Sequence, residues 1–238
     1  VATTKIGFMK PGAGRSHYAH FAEMIPADLD IDMCELEVMH GSLQDFANQL
    51  DPIVDRTKTL AEQRDWQAVM VPGAPVEVHN PGLNQALAQS LSIPFTTALS
   101  AGVSALAAYG LTRVLLMTPF DQGMNNLIVE HLERTGLEIL LADSGFASEQ
   151  QAVDLETDVV YQLTRKAVRS HQGFDAIYFQ GAVLDPLDVI DEMEAEFGVP
   201  VIASNPAMLW SIASQIGKRY EISHKGLLMK EWPAFNPK

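Results

Sequence analysis

The chain has 238 residues, with 16 Lys and Arg against 30 Asp and Glu, a formal net charge of −14, a pI near 4.8 and 47% hydrophobic residues. That composition fits a globular protein with a sizeable core and excludes a disordered or collagen-like chain. The negative charge repels a phosphate backbone or an anionic membrane surface, so neither nucleic acid nor membrane is expected as a partner.

The single cysteine, Cys34, has no partner for an internal disulfide, and no Cys-x-x-Cys spacing suggests zinc. Neither a leader pattern nor an apolar run of about 18 residues is present, and the chain reads as cytoplasmic. In chain order, apolar runs stand at 6–9, 31–39, 68–71, 95–99, 114–117, 137–141, 176–179 and 199–203. Most are too apolar for strands with one wet face and suit a parallel sheet covered on both sides. Between them Leu43, Phe46, Leu50, Ile53 and Leu60 share one helical face, and Ile190, Met193 and Phe197 repeat the spacing. Asn80-Pro81, Asp185-Pro186 and Asn205-Pro206 each set an N-cap side chain before a proline, and Ser148 marks a further helix start. Regular alternation predicts an α/β fold with right-handed crossovers.

The chain also repeats itself. Thr4 to Pro11 matches Thr112 to Pro119 at an offset of 108, and Gln67 to Ala74 matches Asp175 to Ala182 at the same offset, with Gly73 falling on Gly181. Ser92 to Phe95 then matches Gly198 to Val201 at 106. Two pseudo-symmetric parallel-sheet halves are predicted: 1–98, with 206–238 returning to it, and 99–205. By the crevice rule for open sheets, the cleft between them is lined by the segments after strands one and three of each half: 10–18, 72–80, 118–123 and 180–186.

Segments 181–184 and 198–207, supported by 94–99 and 114–120, resemble the aspartate/glutamate racemase superfamily and, within it, the arylmalonate decarboxylase and maleate isomerase group. The likeness spans nearly the whole chain. It implies cofactor-independent proton chemistry on a carbon next to a carboxylate, carried in the family by a cysteine at each of two symmetric strand-to-helix turns, of which a decarboxylase keeps the second. Here those turns hold Gly73 and Gly181, and the places of the family's carboxylate-binding hydroxyls hold Ala74, Pro75 and Phe120. An apolar side chain cannot hydrogen-bond a buried carboxylate, so the resemblance points to a changed ligand or binding mode.

Within the cleft segments, Lys10, Arg15, His17 and Tyr18 follow strand one, where a helix start and cations form an anion site; the competing reading is solvated surface charge. Gly12-Ala13-Gly14 lacks the third glycine of a dinucleotide fingerprint and reads as a turn. Glu77, His79 and Asn80 occupy the longer first-half turn, where a carboxylate and an imidazole suit acid–base exchange; alternatively Asn80 is only a cap and His79 an exposed loop residue. Asp121, Gln180 and Asp185 face them, with Ala182 and Asn205 completing the second-half wall. His17 and His20 have the spacing of a metal pair but no third ligand, and Cys34 reads as a packing thiol. The reading is a cysteine-independent enzyme, a lyase or isomerase, acting on a small carboxylate or carbonyl compound. The alternatives are a non-catalytic carboxylate-binding protein and a hydrolase using activated water. No cofactor is implied, and pairing into a homo-oligomer is left open.

Overall fold

The computed structural model describes residues 3–12 and 18–236. Among these described residues, eight strands form two four-stranded parallel sheets. The first holds β1 (Thr4–Lys10), β2 (Leu29–Glu35), β3 (Ala68–Val71) and β4 (Phe95–Thr97) in the order β2-β1-β3-β4. The second holds β5 (Arg113–Met117), β6 (Glu138–Leu141), β7 (Ala176–Phe179) and β8 (Val201–Ala203) in the equivalent order β6-β5-β7-β8. The repeat survives down to the register: Ile6 pairs with Ala68 in one sheet, and Val114 pairs with Ala176 in the other.

Alternate residues of each strand face opposite layers, and in the central strands β1, β3, β5 and β7 both faces are buried toward their carboxyl ends. Ile6, Phe8, Ala68 and Met70 join Val114, Leu116, Ala176 and Tyr178 in one interior between the sheets. That interior is filled by α5 (Ala98–Ala108) and α9 (Ser204–Gln215), together with α1 (Ala19–Glu23), α6 (Gln122–Glu133) and α10 (Leu227–Glu231). The outer face of the first sheet is covered by α2 (Leu50–Gln63) and α4 (Leu83–Ser90), that of the second by α7 (Thr157–Ser170) and α8 (Ile190–Phe197). The sheets are thus covered on both faces, as strands this apolar require.

Several elements are shorter than their apolar runs, each for a local reason. The run 31–39 is strand only to Glu35, and Glu37 turns the chain with φ 60°. At 95–99 the strand stops at Thr97, whose hydroxyl accepts from Ser100 N while Ser100 Oγ accepts from Thr97 N; this reciprocal cap starts α5 at Ala98. The helical face from Leu43 to Leu60 is split into a 3-10 turn over Leu43–Phe46 and α2, because Asn48 takes φ 59° between them. The predicted caps also shift. Asn80 does not cap a helix: its Oδ1 accepts from Gln49 N at 2.8 Å and its Nδ2 donates to Phe46 O and Val76 O. Asp185 accepts from Leu187 N at 2.9 Å, five residues before α8 begins at Ile190, and Asn205 is the second residue inside α9. Ser148 precedes a 3-10 turn, Glu149–Ala152, without capping it by its side chain.

Among the described residues no helix is long and apolar enough to cross a membrane, and no group of three or more His, Cys, Asp or Glu is placed to hold a metal ion.

Candidate active site

The carboxyl ends of the two sheets face one cavity of about 170 Å³. Gly73 closes β3 on one side and Gly181 closes β7 on the other, with φ 96° and 125°, and both line it. Each glycine sits under a proline from the neighbouring strand end. A Cβ on Gly73 would stand 2.8 Å from Pro11 Cγ, and one on Gly181 2.6 Å from Pro119 Cδ. Positive φ and the close approach together leave glycine as the unstrained residue at both turns.

Above the glycines the wall is apolar, formed by Met39, Leu43 and Phe46 from the loop after β2 and by Val153 from the loop after β6. Its polar groups are Tyr18, Gln180, Ser204, Asn205, Glu149 and Gln150. Burial raises the Tyr18 phenol above its ordinary value, so its hydroxyl stays protonated near neutrality. Gln180, 1% exposed, accepts the Tyr178 hydroxyl through Oε1, while its Nε2 has no hydrogen-bond partner. Ser204 and Asn205 open α9, whose first amides carry the positive end of a helix dipole.

The structure brings Tyr18, Gly73, Phe120, Gln180, Gly181, Ala182 and Asn205 to this cavity, and leaves other expected residues away from it. Lys10 is 4% exposed and does not line it; its Nζ lies 3.7 Å from Glu35 Oε1. Arg15 and His17 lie outside the described residues. Ala74 is wholly buried behind Gly73. Asp121 caps α6 by accepting from Met124 N at 2.9 Å.

Glu77 and His79 are turned away because the loop after Gly73 is itself a short helix, α3 (Ala74–Val78), that packs on α6. Glu77 accepts from Asn84 Nδ2, stands 3.5 Å from His131 Nε2, and has its other oxygen unpartnered. Desolvation raises its carboxyl above the ordinary range, and burial lowers the His79 imidazole. Neither Glu77 nor His79 lines the cavity, contrary to the expectation from the sequence. Cys34 packs under the outer helices, its thiol raised by burial, and no sulfur of a cysteine reaches the cavity among the described residues.

Sequence reasoning missed Met39, Leu43, Phe46, Glu149, Val153 and Ser204. Its crevice argument stopped at strands one and three of each half; the same argument at strands two and four reaches all six.

The pattern of the arylmalonate decarboxylase family matches residues 6–229. The chain belongs to that family. The arylmalonate decarboxylase of Bordetella bronchiseptica is 26% identical over 226 residues, covering 91% of this chain and 92% of the relative. A liganded double mutant of arylmalonate decarboxylase superposes with a TM-score of 0.82 at 23% identity, over 96% of this chain and 100% of that one. The maleate isomerase Iso of Pseudomonas putida S16 superposes with a TM-score of 0.83 at 16% identity, over 97% and 99%. The family groups this chain with the arylmalonate decarboxylases, and the solved structures of arylmalonate decarboxylase and maleate isomerase share its fold.

Proposed function

We propose that this member of the arylmalonate decarboxylase family is a cofactor-independent lyase or isomerase that moves a proton at the carbon next to a carbonyl or carboxylate group, without a cysteine. The observation that carries the reading is the cavity shared by Gly73 and Gly181, at the ends of two sheets in matching register. Its volume of about 170 Å³ suits a small substrate, below the roughly 300–1,000 Å³ of drug-sized sites.

With no thiol to exchange the proton, Glu149 takes that role. Among the described lining residues it is the one carboxylate. Tyr18, Gln180, Ser204 and Asn205 hold the oxygen on which negative charge develops, a task for fixed neutral donors in a water-poor site. Deuterium incorporation from heavy water, or loss of carbon dioxide, followed by NMR on a panel of small carboxylates and carbonyl compounds, tests the activity. A Glu149→Gln change should lower the rate at least about 100-fold, the usual scale for a general base. A panel that binds but neither exchanges nor loses carbon dioxide would sink the reading in favour of a binding protein.

A further inference from the structure

The cavity offers hydrogen-bond donors that carry no charge. Tyr178 OH reaches Gln180 Oε1 and stands 3.2 Å from Ala98 O, so it pins the Gln180 amide between β7 and the start of α5. Gln180 Nε2 is left buried without an acceptor. An unpaired buried N–H is costly, and a ligand oxygen placed against it removes that cost. Tyr18, Ser204 and Asn205 bring further neutral donors to the same walls.

Among the described lining residues the charge has the wrong sign for an anion. Among the described lining residues the only charged side chain is Glu149, and it is negative. Lys10 faces Glu35 instead, and Pro75 and Phe120 present apolar surface. A carboxylate entering here would lose its water beside a like charge, with no cation among the described lining residues to pair with it. A ketone or ester oxygen loses far less on leaving water and accepts the free Gln180 proton.

Resting on the reading of this cleft as the reaction site, we propose that its substrate is an uncharged carbonyl compound with an apolar flank, recognised through Gln180, and not a carboxylate. The chemistry balances without a co-reactant. Glu149 takes the proton from the carbon next to the carbonyl, the C–H pair forms the C=C bond of an enolate, and the C=O π pair moves to the oxygen held by the neutral donors. Return of the proton by Glu149, on the same face, to the far carbon of a conjugated system regenerates the carbonyl with the double bond moved. Loss of carbon dioxide would need a carboxylate, so the proposal selects isomerisation.

Methyl phenylacetate, phenylacetate and phenylmalonate, titrated into the full chain by calorimetry and ligand-observed NMR, test it. The ester should bind at least about tenfold more tightly than either anion, a difference of roughly 1.4 kcal/mol. Gln180→Met should weaken the ester about tenfold while leaving ethylbenzene binding unchanged, as expected for the loss of one hydrogen bond. Equal or tighter binding of either anion, or an ester affinity untouched in the variant, overturns the proposal; so would anion binding that Arg15→Ala abolishes. If Gln180→Met fails to fold, the ester-to-anion ratio of the unaltered chain decides alone. Ester binding with no deuterium exchange on any panel compound keeps this preference and removes the proposed activity, whereas an anion that binds best and turns over does the reverse. Absence of binding by all three refutes both.

Discussion

Replacing Gly73 by alanine separates two costs that the structure places on one residue. Gly73 and Gly82 both take a positive φ, 96° and 90°, with ψ 107° and 2°, and a Cβ on Gly82 meets nothing within 4 Å, whereas one on Gly73 lies 2.8 Å from Pro11 Cγ and 3.4 Å from Val76 Cγ2. Positive φ costs each variant about 1–3 kcal/mol, with Gly82 at the low end because it lies in the left-handed well and Gly73 at the high end because its ψ of 107° lies outside it. The proline contact adds about 1 kcal/mol at Gly73, the low end of overpacking, because a ring can shift its pucker. At Gly181 two ring atoms lie at 2.6 and 2.8 Å, one of them the Cδ bonded to nitrogen, and the added cost rises to about 2–3 kcal/mol. The expected order of destabilisation is Gly181→Ala, then Gly73→Ala, then Gly82→Ala, and at roughly 2–4 °C per kcal/mol the first and last differ by about 4–12 °C in melting temperature. Urea unfolding of the three variants measures it, with Pro11→Ala added to Gly73→Ala to relieve the crowding. Equal losses at Gly73 and Gly82, or no relief from Pro11→Ala, would refute the argument that prolines crowd these turns.

Two further outcomes follow from buried groups elsewhere. Glu194 accepts from Val201 N and Leu227 N, yet burial raises its carboxyl to about 7. Between its ordinary value near 4.5 and 7 the native state holds a proton that the unfolded chain releases, so stability falls as pH rises through that window. The fall is on the order of 2 kcal/mol once its partial exposure is discounted, and urea midpoints measured from pH 4.5 to 7.5 should lose that slope in Glu194→Gln. A Cys34→Ala variant should keep its full rate in the deuterium-exchange assay and lose less than about 1.5 kcal/mol of stability; a dead but folded variant would mean that chemistry runs through the thiol after all.

Much of the architecture was legible because parallel strands buried on both faces must be apolar throughout. The offset of 108 linking Ile6 to Val114 and Ala68 to Ala176 then carries directly into the two strand pairings. Direction was harder to read. In the sequence Glu77 and His79 read as loop residues, but the helix capped by Gly73 turns Glu77 toward α4 and α6, where Asn84 and His131 respectively meet it. Asn80 has the sequence of a cap, yet its amide ties three backbone groups of two loops, a long-range arrangement that no local pattern specifies. The apolar wall is hidden in the sequence for a related reason: Leu43 and Phe46 sit in step with α2, and only the turn at Asn48 sets them on a separate segment facing the cavity. Glu149 gave no signal beyond its place after Ser148.

The helices wedged between the sheets bear on how a substrate gets in. With α5 and α9 packed on one another and their side chains continuous with both inner sheet faces, the two halves cannot swing apart without wetting the whole interior. Entry and exit therefore pass along the rim formed by the segments after β2 and β6, which bring Met39 and Leu43 on one side and Glu149 and Val153 on the other to the cavity wall. A rim that gives way locally while the frame stays rigid makes product escape, and so the ceiling on turnover, a property of two loops rather than of a hinge.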